Sequence, residues 1–398
     1  PFGVVSLHAW AVTLGGALLL ALTFARLAAR SPAAGGPYAY VRAAFGDTAG
    51  FVVAWSYWVS MWCANAAIAT AFAGSLGGLF PDLVATPMRS AGVALGALWL
   101  CTAVNLAGVR EAGIVQVVTT VLKVVPLLVF GGIAIWWLEP RLFASTPDAI
   151  AAAAADGAPA TYAGALHAAV ALTLWAFLGL EAATVPAGAI RDAERVIPRA
   201  TLIGTLIAGV ATILACTAVL GILAPEAAKA SGAPMADAAR ALWGPAAGHA
   251  IALVAAVSCL GALNGWVLLS AQLPMAAAQD GLFPREFGRL DANGTPRFAV
   301  LVGALLASLL VGANYTDRLT DVFKFAILLS TAATLLPYVA SSAASLRLDA
   351  GGRVVAALAL AYSAYTLLGT GTEALTWGAV LVAAGLPLYA WQVMRKRG

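Results

Sequence analysis

The groups in this sequence that could do chemistry centre on Glu181, an acidic residue near the middle of an apolar segment running from Tyr162 to Ile190. A charge at bilayer depth costs about 3 kcal/mol or more, so a carboxylate there normally has a function or a partner. Gly179, two residues earlier, is a point where a helix could open and offer backbone groups to a ligand. These residue types indicate a polar, glycine-broken centre inside a hydrophobic segment.

Trp175 lies six residues before Glu181, which is about 240° around a continuous helix. The two side chains would then point to different sides, and a break near Gly179 would relax that constraint. Three roles fit Glu181: a proton-linked gate residue, a cation ligand, or one half of a structural pair with Tyr57 or Tyr338.

A polar stripe with helical spacing lies in the second apolar segment. Tyr57, Met61 and Asn65 are four residues apart and share one face, with Ser60 and Ile68 beside them. An asparagine at bilayer depth needs a hydrogen-bond partner. Asn65 could contact a polar substrate while Tyr57 closes beneath it, or it could bond a neighbouring helix, as polar residues in bundles do.

An indole follows two glycines in a later segment, Gly261-Ala262-Leu263-Asn264-Gly265-Trp266. A tryptophan deep in a bundle can stack on a cation or a guanidinium. More often such a residue belongs to the core or anchors the chain at the membrane interface. Both interpretations of Trp266 remain open on this motif alone.

Ser330, Thr334 and Tyr338 form another polar stripe, again four residues apart. We expect Pro337 to weaken the helix there. The hydroxyl groups could face a ligand, or they could bond the carbonyls of their own helix four residues earlier.

Several kinds of site are not indicated. The histidines His8, His167 and His249 are scattered without metal-ligand spacing, and the four cysteines lie far apart in apolar segments. No nucleophile, phosphate-loop or metalloprotease motif occurs, and no basic patch is interleaved with aromatic residues. We therefore predict no enzyme activity, no metal or other cofactor, and no nucleic-acid partner.

The composition indicates the elements that must position these groups. Hydrophobic residues make up 62% of the 398 residues and charged residues 10%, against about 25% charged in a soluble domain. The chain is therefore predicted to be an all-α polytopic membrane protein, one transmembrane domain over residues 1–398 without a soluble domain. Apolar runs predict eleven spans: Val5–Ala29, Ala49–Leu79, Ala91–Ala107, Ile114–Leu138, Tyr162–Ile190, Thr201–Leu223, Ala241–Ala271, Phe298–Ala313, Val322–Leu346, Val354–Leu368 and Ala374–Val393.

Basic residues are distributed unevenly between the two sets of loops. One set and the C-terminus hold most of them, whereas the opposite set holds only Arg89, Arg141, Lys229, Arg240 and Arg318. The positive-inside rule places the richer set and the C-terminus in the cytoplasm. Eleven spans that end inside must begin outside, so we expect one further helix at the N-terminus, missing here, and twelve in the native chain.

Two connections on the predicted cytoplasmic side combine glycine, proline and charge: Ser31–Arg42 and Ala277–Pro284. They could be gating loops that move with the helices, or simple turns and interfacial helix starts. The sequence does not decide between the two interpretations.

Together these features resemble the amino acid–polyamine–organocation superfamily, and within it the basic amino acid/polyamine antiporter family that includes the arginine/agmatine type. The resemblance covers nearly the whole chain. It depends on the Ser31–Arg42 turn, the Tyr57–Asn65 stripe, the Leu174–Glu181 segment, Gly265-Trp266 and Pro337-Tyr338.

The resemblance implies the LeuT-like inverted-repeat transporter fold, with helices 1 and 6 broken at mid-membrane, and a homodimer in a bacterial inner membrane. Glu181 would then lie on helix 6, and the missing N-terminal helix would be helix 1. The implied activity is alternating access, importing a cationic amino acid and exporting its decarboxylated amine. Paired with a decarboxylase, such exchange discards an intracellular proton per cycle and provides acid resistance.

The resemblance also implies a substrate site. Trp266 would stack on the guanidinium or amine end of the substrate, and Trp175 would cover its aliphatic part and close the outer side. The backbone carbonyls of Trp175 and Leu178 would bind the α-ammonium group. The distal cationic head would meet Asn65, Ser330 and the carbonyls of Ser60 and Met61. An inner barrier layer would consist of Tyr57, Glu181 and Tyr338.

Some positions depart from the arginine-type pattern. Ala176 replaces a serine, and Ser60, Met61 and Ile68 also differ. Aromatic stacking suits a flat guanidinium better than an ammonium group, which favours arginine/agmatine over lysine/cadaverine or ornithine/putrescine. Two further interpretations stay open: a neutral amino acid exporter or uniporter of the same fold, and a non-transporting membrane sensor or subunit.

Overall fold

The structure is a computed structural model that describes residues 4–30, 35–139, 161–185, 190–313 and 319–397. Within these ranges nine helical segments are long and apolar enough to cross a membrane, and Tyr162–Phe177 and Arg297–Ala313 are two shorter apolar ones. Each lies on one of the eleven predicted spans, so the all-α polytopic prediction is confirmed. Of the predicted connection Ser31–Arg42, residues 31–34 lie outside the described residues.

Fifteen α-helices make up most of the described chain. They are α1 Val4–Arg30, α2 Pro37–Phe45, α3 Asp47–Gly77, α4 Pro87–Ala107, α5 Val109–Ala134, α6 Tyr162–Leu174, α7 Ala193–Ile222, α8 Pro225–Ala230, α9 Pro234–Trp243, α10 Pro245–Gln279, α11 Arg297–Ala313, α12 Leu319–Leu348, α13 Arg353–Gly369, α14 Thr372–Ala383 and α15 Leu386–Arg397.

Several predicted boundaries differ from the observed ones. Helix α7 begins at Ala193, eight residues before the predicted Thr201, and α10 ends at Gln279, eight residues after the predicted Ala271. The span predicted from Ala241 begins only at Pro245, because α9 ends at Trp243 and proline favours the first helical position. The span predicted at Ala374–Val393 consists of two helices, α14 and α15, that meet at Gly385.

The third helix, α3, is the buried centre of the bundle. It is apolar around its whole circumference and packs mainly against α10 and α12. A helix that is hydrophobic all round can lie in a protein core or face lipid, and here neighbouring helices surround it. Residues from Gly50 to Ser75 are accordingly almost all buried.

Prolines inside α10 and α12 do not break those helices, and α3 supplies the reason. A proline has no N–H, so it leaves the carbonyl four residues earlier without its helical donor. Pro337 frees the carbonyl of Ala333, which accepts a hydrogen bond from Ser56 Oγ at 2.7 Å. Pro274 frees the carbonyl of Ser270, which accepts from Trp58 Nε1 at 2.9 Å. At Pro337 α12 loses one of its own hydrogen bonds and still continues to Leu348, because Ser56 of α3 provides the missing donor.

The helix that carries the central acidic residue is interrupted, as predicted. The α-helix α6 ends at Leu174, a 3₁₀ turn covers Trp175–Phe177, and a second one covers Ala182–Thr184. Gly179 between them has φ +100°, in the region that favours glycine. The break therefore lies at the glycine and places backbone amide and carbonyl groups inside the bundle.

Candidate functional site

A cavity of about 270 Å³ lies between α3, the broken segment and α10. Its walls combine small side chains with two indoles. The lining residues are Ala64, Ile68, Ala71, Trp175, Ala176, Leu178, Ser258, Cys259, Ala262 and Trp266. None of these residues is charged, so electrostatic recognition of a cation at this wall would depend on aromatic faces, hydroxyl and thiol groups and backbone carbonyls.

Trp266 lies directly against the backbone of the break. A Cβ atom added at Gly179 would be 3.0 Å from Trp266 Cζ2, closer than ordinary van der Waals contact. Two features therefore favour glycine at position 179: its positive φ, and the lack of space for a Cβ beside the indole. Trp175, the first residue of the 3₁₀ turn before the break, lines the same cavity. Both tryptophans therefore belong to one cavity wall.

Glu181 is buried beside the cavity, with both carboxylate oxygens hydrogen-bonded. Tyr57 Oη donates to Glu181 Oε1, and Tyr338 Oη donates to Glu181 Oε2. All three side chains are fully buried. Tyr57 lies about 10 Å along α3 from the lining residue Ala64, toward the Asp47 end, from the rise of 1.5 Å per residue. Tyr57, Glu181 and Tyr338 thus form one hydrogen-bonded layer, and Tyr57 places it nearer to that end of α3 than the lining residues.

Five of the residues implicated by the resemblance line the cavity: Ile68, Trp175, Ala176, Leu178 and Trp266. Four others are buried outside its wall: Ser60, Met61, Asn65 and Ser330. Ser330 Oγ donates to the carbonyl of Ser60 at 3.0 Å, so α12 already occupies that carbonyl. Thr334, by contrast, bonds the carbonyl of Ser330 in its own helix at 2.9 Å, the simpler of the two interpretations of that stripe.

Asn65 differs from its buried neighbours. Its side chain is fully buried, and among the described residues neither Oδ1 nor Nδ2 has a hydrogen-bond partner. Leaving a buried amide unsatisfied costs about 1–3 kcal/mol. A polar ligand that reached this amide would recover that free energy.

Five lining residues were missed by the sequence analysis: Ala64, Ala71, Ser258, Cys259 and Ala262. Helical spacing could have found them. Ala64 and Ala71 lie four before and three after Ile68, while Cys259 and Ala262 lie seven and four before Trp266. Small side chains give no chemical signal by themselves, but here they provide the space.

The two connections that carried glycine, proline and charge contact each other at the end of the bundle near the start of α3. Arg42 Nη1 lies 2.8 Å from Asp280 Oδ2, and Tyr38 Oη donates to the same oxygen at 2.9 Å. Arg42 Nε also pairs with Asp47 at 2.6 Å. Burial, and next the charge of Asp280, raise the pKa of the Tyr38 hydroxyl above its ordinary value, so it donates to Asp280 throughout the physiological range.

A second ion cluster joins the end of α1 to the turn after α12. Asp349 is fully buried and lies 2.5 Å from Arg26 Nε and 2.7 Å from Arg30 Nη2. The hydrogen bond from Arg26 is the main cause that lowers the pKa of the Asp349 carboxyl. Gly352 makes room for the pair, since a Cβ there would be 2.3 Å from Asp349 Oδ2.

Within the described ranges, no group of three or more His, Cys, Asp or Glu residues could hold a metal ion.

Comparison with known proteins gives one consistent result. Residues 3–389 match the model of the amino acid permease family. The putative arginine/ornithine antiporter of Bacillus subtilis is 32% identical, over 98% of this chain and 89% of that protein. The putrescine transporter of Escherichia coli is 30% identical, over 97% and 88%. The cadaverine/lysine antiporter of Escherichia coli is 30% identical, over 84% and 74%.

Among solved structures, the manganese transporter of Eremococcus coleocola is similar in fold. The TM-score is 0.57 at 13% sequence identity, over 98% of this chain and 88% of that one. An identity this low supports the shared architecture and carries no information about the substrate.

Proposed function

The chain belongs to the amino acid permease family of the amino acid–polyamine–organocation superfamily, and on this premise we propose that it is an antiporter of the bacterial inner membrane. It exchanges a cationic amino acid, with arginine favoured, for the decarboxylated amine, agmatine in that case. The observation that carries the proposal is the cavity in which Trp175 and Trp266 meet beside the break at Gly179.

The two indoles account for the choice of a cation. A cation over the face of a tryptophan gains about 2 kcal/mol or more when both are desolvated. The uncharged lining holds no counter-ion that would bind an ammonium more tightly than a guanidinium. A planar guanidinium can also stack on the indole, which a compact ammonium cannot do. The backbone carbonyls of Trp175 and Leu178, at the break, are the proposed ligands of the α-ammonium group.

The cavity volume supports a small substrate. Pockets for drug-sized ligands begin at about 300 Å³, and this cavity measures about 270 Å³. An amino acid or its amine fits that space. Asn65, whose amide is unpaired among the described residues, follows the lining residue Ala64 on α3. We propose that it and the buried Ser60, Met61 and Ser330 meet the distal head of the substrate.

Alternating access requires a barrier on each side of the substrate in turn. We assign the inner barrier to Tyr57, Glu181 and Tyr338, whose hydrogen bonds join three separate elements. The C-terminus then faces the cytoplasm, in agreement with the positive-inside distribution. A homodimer is part of the proposal by family resemblance.

The names of the relatives differ in the cation: arginine and ornithine, putrescine, cadaverine and lysine. The choice among these cations is therefore decided by measurement. We expect purified protein to bind labelled arginine, and unlabelled agmatine and arginine to displace it at least tenfold more effectively than lysine or ornithine. Displacement by neutral amino acids alone would contradict the proposal, and displacement by lysine or ornithine in preference would reassign the cation.

A further inference from the structure

One buried amide joins α4 to the helix that carries Trp266. Asn105 lies in the last turns of α4 and is fully buried. Its Nδ2 lies 3.0 Å from Asn264 Oδ1 and 3.2 Å from the carbonyl oxygen of Asn264, both on α10. The same nitrogen lies 2.9 Å from the carbonyl of Cys101 in its own helix. Both contacts that Asn105 makes to α10 therefore go to one residue, Asn264.

Asn264 lies two residues before Trp266, in the stretch flanked by Gly261 and Gly265. Glycines provide no side chain to fix the rotation of α10 against its neighbours, so the helix needs another contact at this level. The Cys101 Sγ–Leu260 carbonyl contact at 3.6 Å is long and weak by comparison. The Asn105 amide is thus the main polar contact from α4 close to the indole.

The position of Trp266 has little tolerance. The space between its ring and Gly179 is too small for a methyl group, since a Cβ added there would lie 3.0 Å from Trp266 Cζ2. A rotation of α10 would therefore move the ring into the break or away from the cavity. Ser258, Cys259 and Ala262 on the same helix also line the cavity, whereas no lining residue comes from α4. Asn105 therefore contacts α10 at Asn264, a residue that does not line the cavity.

We propose that Asn105 is a positioning residue for substrate recognition: its amide fixes α10 at Asn264 and so holds the Trp266 indole against the cavity. The inference rests on the proposed function, because it assigns Asn105 a part in binding the cation that Trp266 contacts.

The test replaces Asn105 by serine. A serine can bond the carbonyl of Cys101, as Thr102 Oγ1 bonds the carbonyl of Leu98 at 2.7 Å, but it is too short to reach Asn264. We expect Asn105→Ser to weaken the equilibrium binding of labelled arginine about tenfold while the thermal unfolding midpoint changes little. The matched control is Thr102→Val, a buried change on the same helix that removes only an intrahelical bond, and it should leave the Kd within twofold.

A double-mutant cycle separates positioning from a general effect on the fold. The cycle uses Asn105→Leu, Asn264→Leu and the double variant. We expect Asn105→Leu to lose about tenfold in affinity and Asn264→Leu to lose less, because the backbone carbonyl of Asn264 still accepts from Asn105. The double variant should lose no more than Asn105→Leu alone, because Asn105 makes both contacts. Should Asn105→Ser fail to fold, arginine affinity is measured in the variant with both Asn105→Leu and Asn264→Leu. Replacing both partners of a buried hydrogen bond by apolar groups of similar shape is nearly neutral for stability. Arginine affinity within twofold of wild type in the folded variants would overturn the inference. So would losses that multiply in the double variant.

The wild-type protein distinguishes the two ways of failing. If wild-type protein binds no cationic amino acid, the proposed function fails and with it this inference. If the wild type binds arginine and Asn105→Ser binds it equally well, the function stands and only the positioning role of Asn105 is rejected.

Discussion

Glu181 combines three properties that rarely coincide in a membrane protein: it is acidic, it is fully buried, and both of its oxygens accept hydrogen bonds from tyrosines on two other elements. A structural pair alone would need one such bond. Two bonds that converge from α3 and α12 make the carboxylate the point at which three moving parts of the proposed barrier are joined. Its protonation would change the strength of both bonds at once.

At the residue scale we predict the effect of Glu181→Gln. Glutamine keeps a polar group in the same place and cannot gain or lose a proton, so arginine binding should stay within about threefold of wild type. The pH dependence of exchange should become flat between pH 5 and pH 8. The measurement is initial exchange rate against pH in proteoliposomes, with Thr334→Val on α12 as a control that leaves the profile unchanged. A wild-type pH profile in Glu181→Gln would exclude Glu181 as the proton-linked group.

From the residues alone, pairing of Glu181 with Tyr57 or Tyr338 was one of three open roles, since a charge in an apolar segment needs a function or a partner. The family resemblance implied all three in one layer, and the structure shows both hydrogen bonds. The sequence could not predict Asn105 or the alanine wall. Alanines at 64, 71 and 262 form a cavity only when other helices leave space beside them, and that depends on packing between segments far apart in the chain.

At the element scale, α2 is fastened to the end of α10 through one acceptor. Asp280 receives both Arg42 and Tyr38, so the two connections that could be either gating loops or plain turns form one contact. A contact of this kind stabilises whichever state of the transporter contains it. On the proposed assignment of the inner barrier to Tyr57, Glu181 and Tyr338, this contact belongs to a state closed at the α2 end of the bundle.

We therefore predict that Asp280→Asn weakens the apparent affinity for external arginine by about threefold to fivefold, because it lowers the population of the state that contains the contact. The matched control is Asp47→Asn, which removes the other carboxylate partner of Arg42 and leaves α10 untouched. The measurement is concentration dependence of exchange from the outside. Equal effects of the two substitutions would show that these connections are static turns.

The Asp349 cluster gives a prediction of stability against pH. The pKa of Asp349 is lowered in the folded protein, chiefly by the hydrogen bond from Arg26. The cluster therefore stabilises the fold above the unfolded pKa of about 3.9, and this contribution is lost as the pH falls through the lower folded value. Arg26 and Arg30 are 39% and 52% exposed, so screening limits the gain to about 1 kcal/mol.

Asp349→Asn should accordingly lower the thermal unfolding midpoint at pH 7, and the difference from wild type should shrink at pH 3.5 and below. Glu373→Gln, which changes an exposed carboxylate at the start of α14, is the control and should shift the midpoint at neither pH. A difference that grows as the pH falls would contradict the assigned direction of the pKa shift.

At the scale of the whole molecule, the number, order and approximate bounds of the spans followed from composition and hydropathy, because an all-apolar run of about 20 residues has few other structures open to it in a bilayer. The break at Gly179 followed from one glycine beside one charge. The continuity of α10 and α12 did not follow, since Pro274 and Pro337 normally disturb helices. It depends on Trp58 and Ser56 of α3 donating to the carbonyls that those prolines leave free.

These hydrogen bonds join α3 to α10 and α12. Trp266 lies on this joined group of helices, whereas Trp175 and Glu181 lie on the broken segment. On the proposed function, these are the two parts that alternating access would move relative to each other.

Counter-transport shows whether this protein exchanges a cationic amino acid for its amine. Purified protein is placed in liposomes loaded with agmatine, and uptake of external labelled arginine is followed. We expect uptake at least tenfold faster than into liposomes without internal substrate, and uptake should fall to that background in Trp266→Leu. Arginine uptake that is independent of internal agmatine, or exchange restricted to neutral amino acids, would contradict the claim.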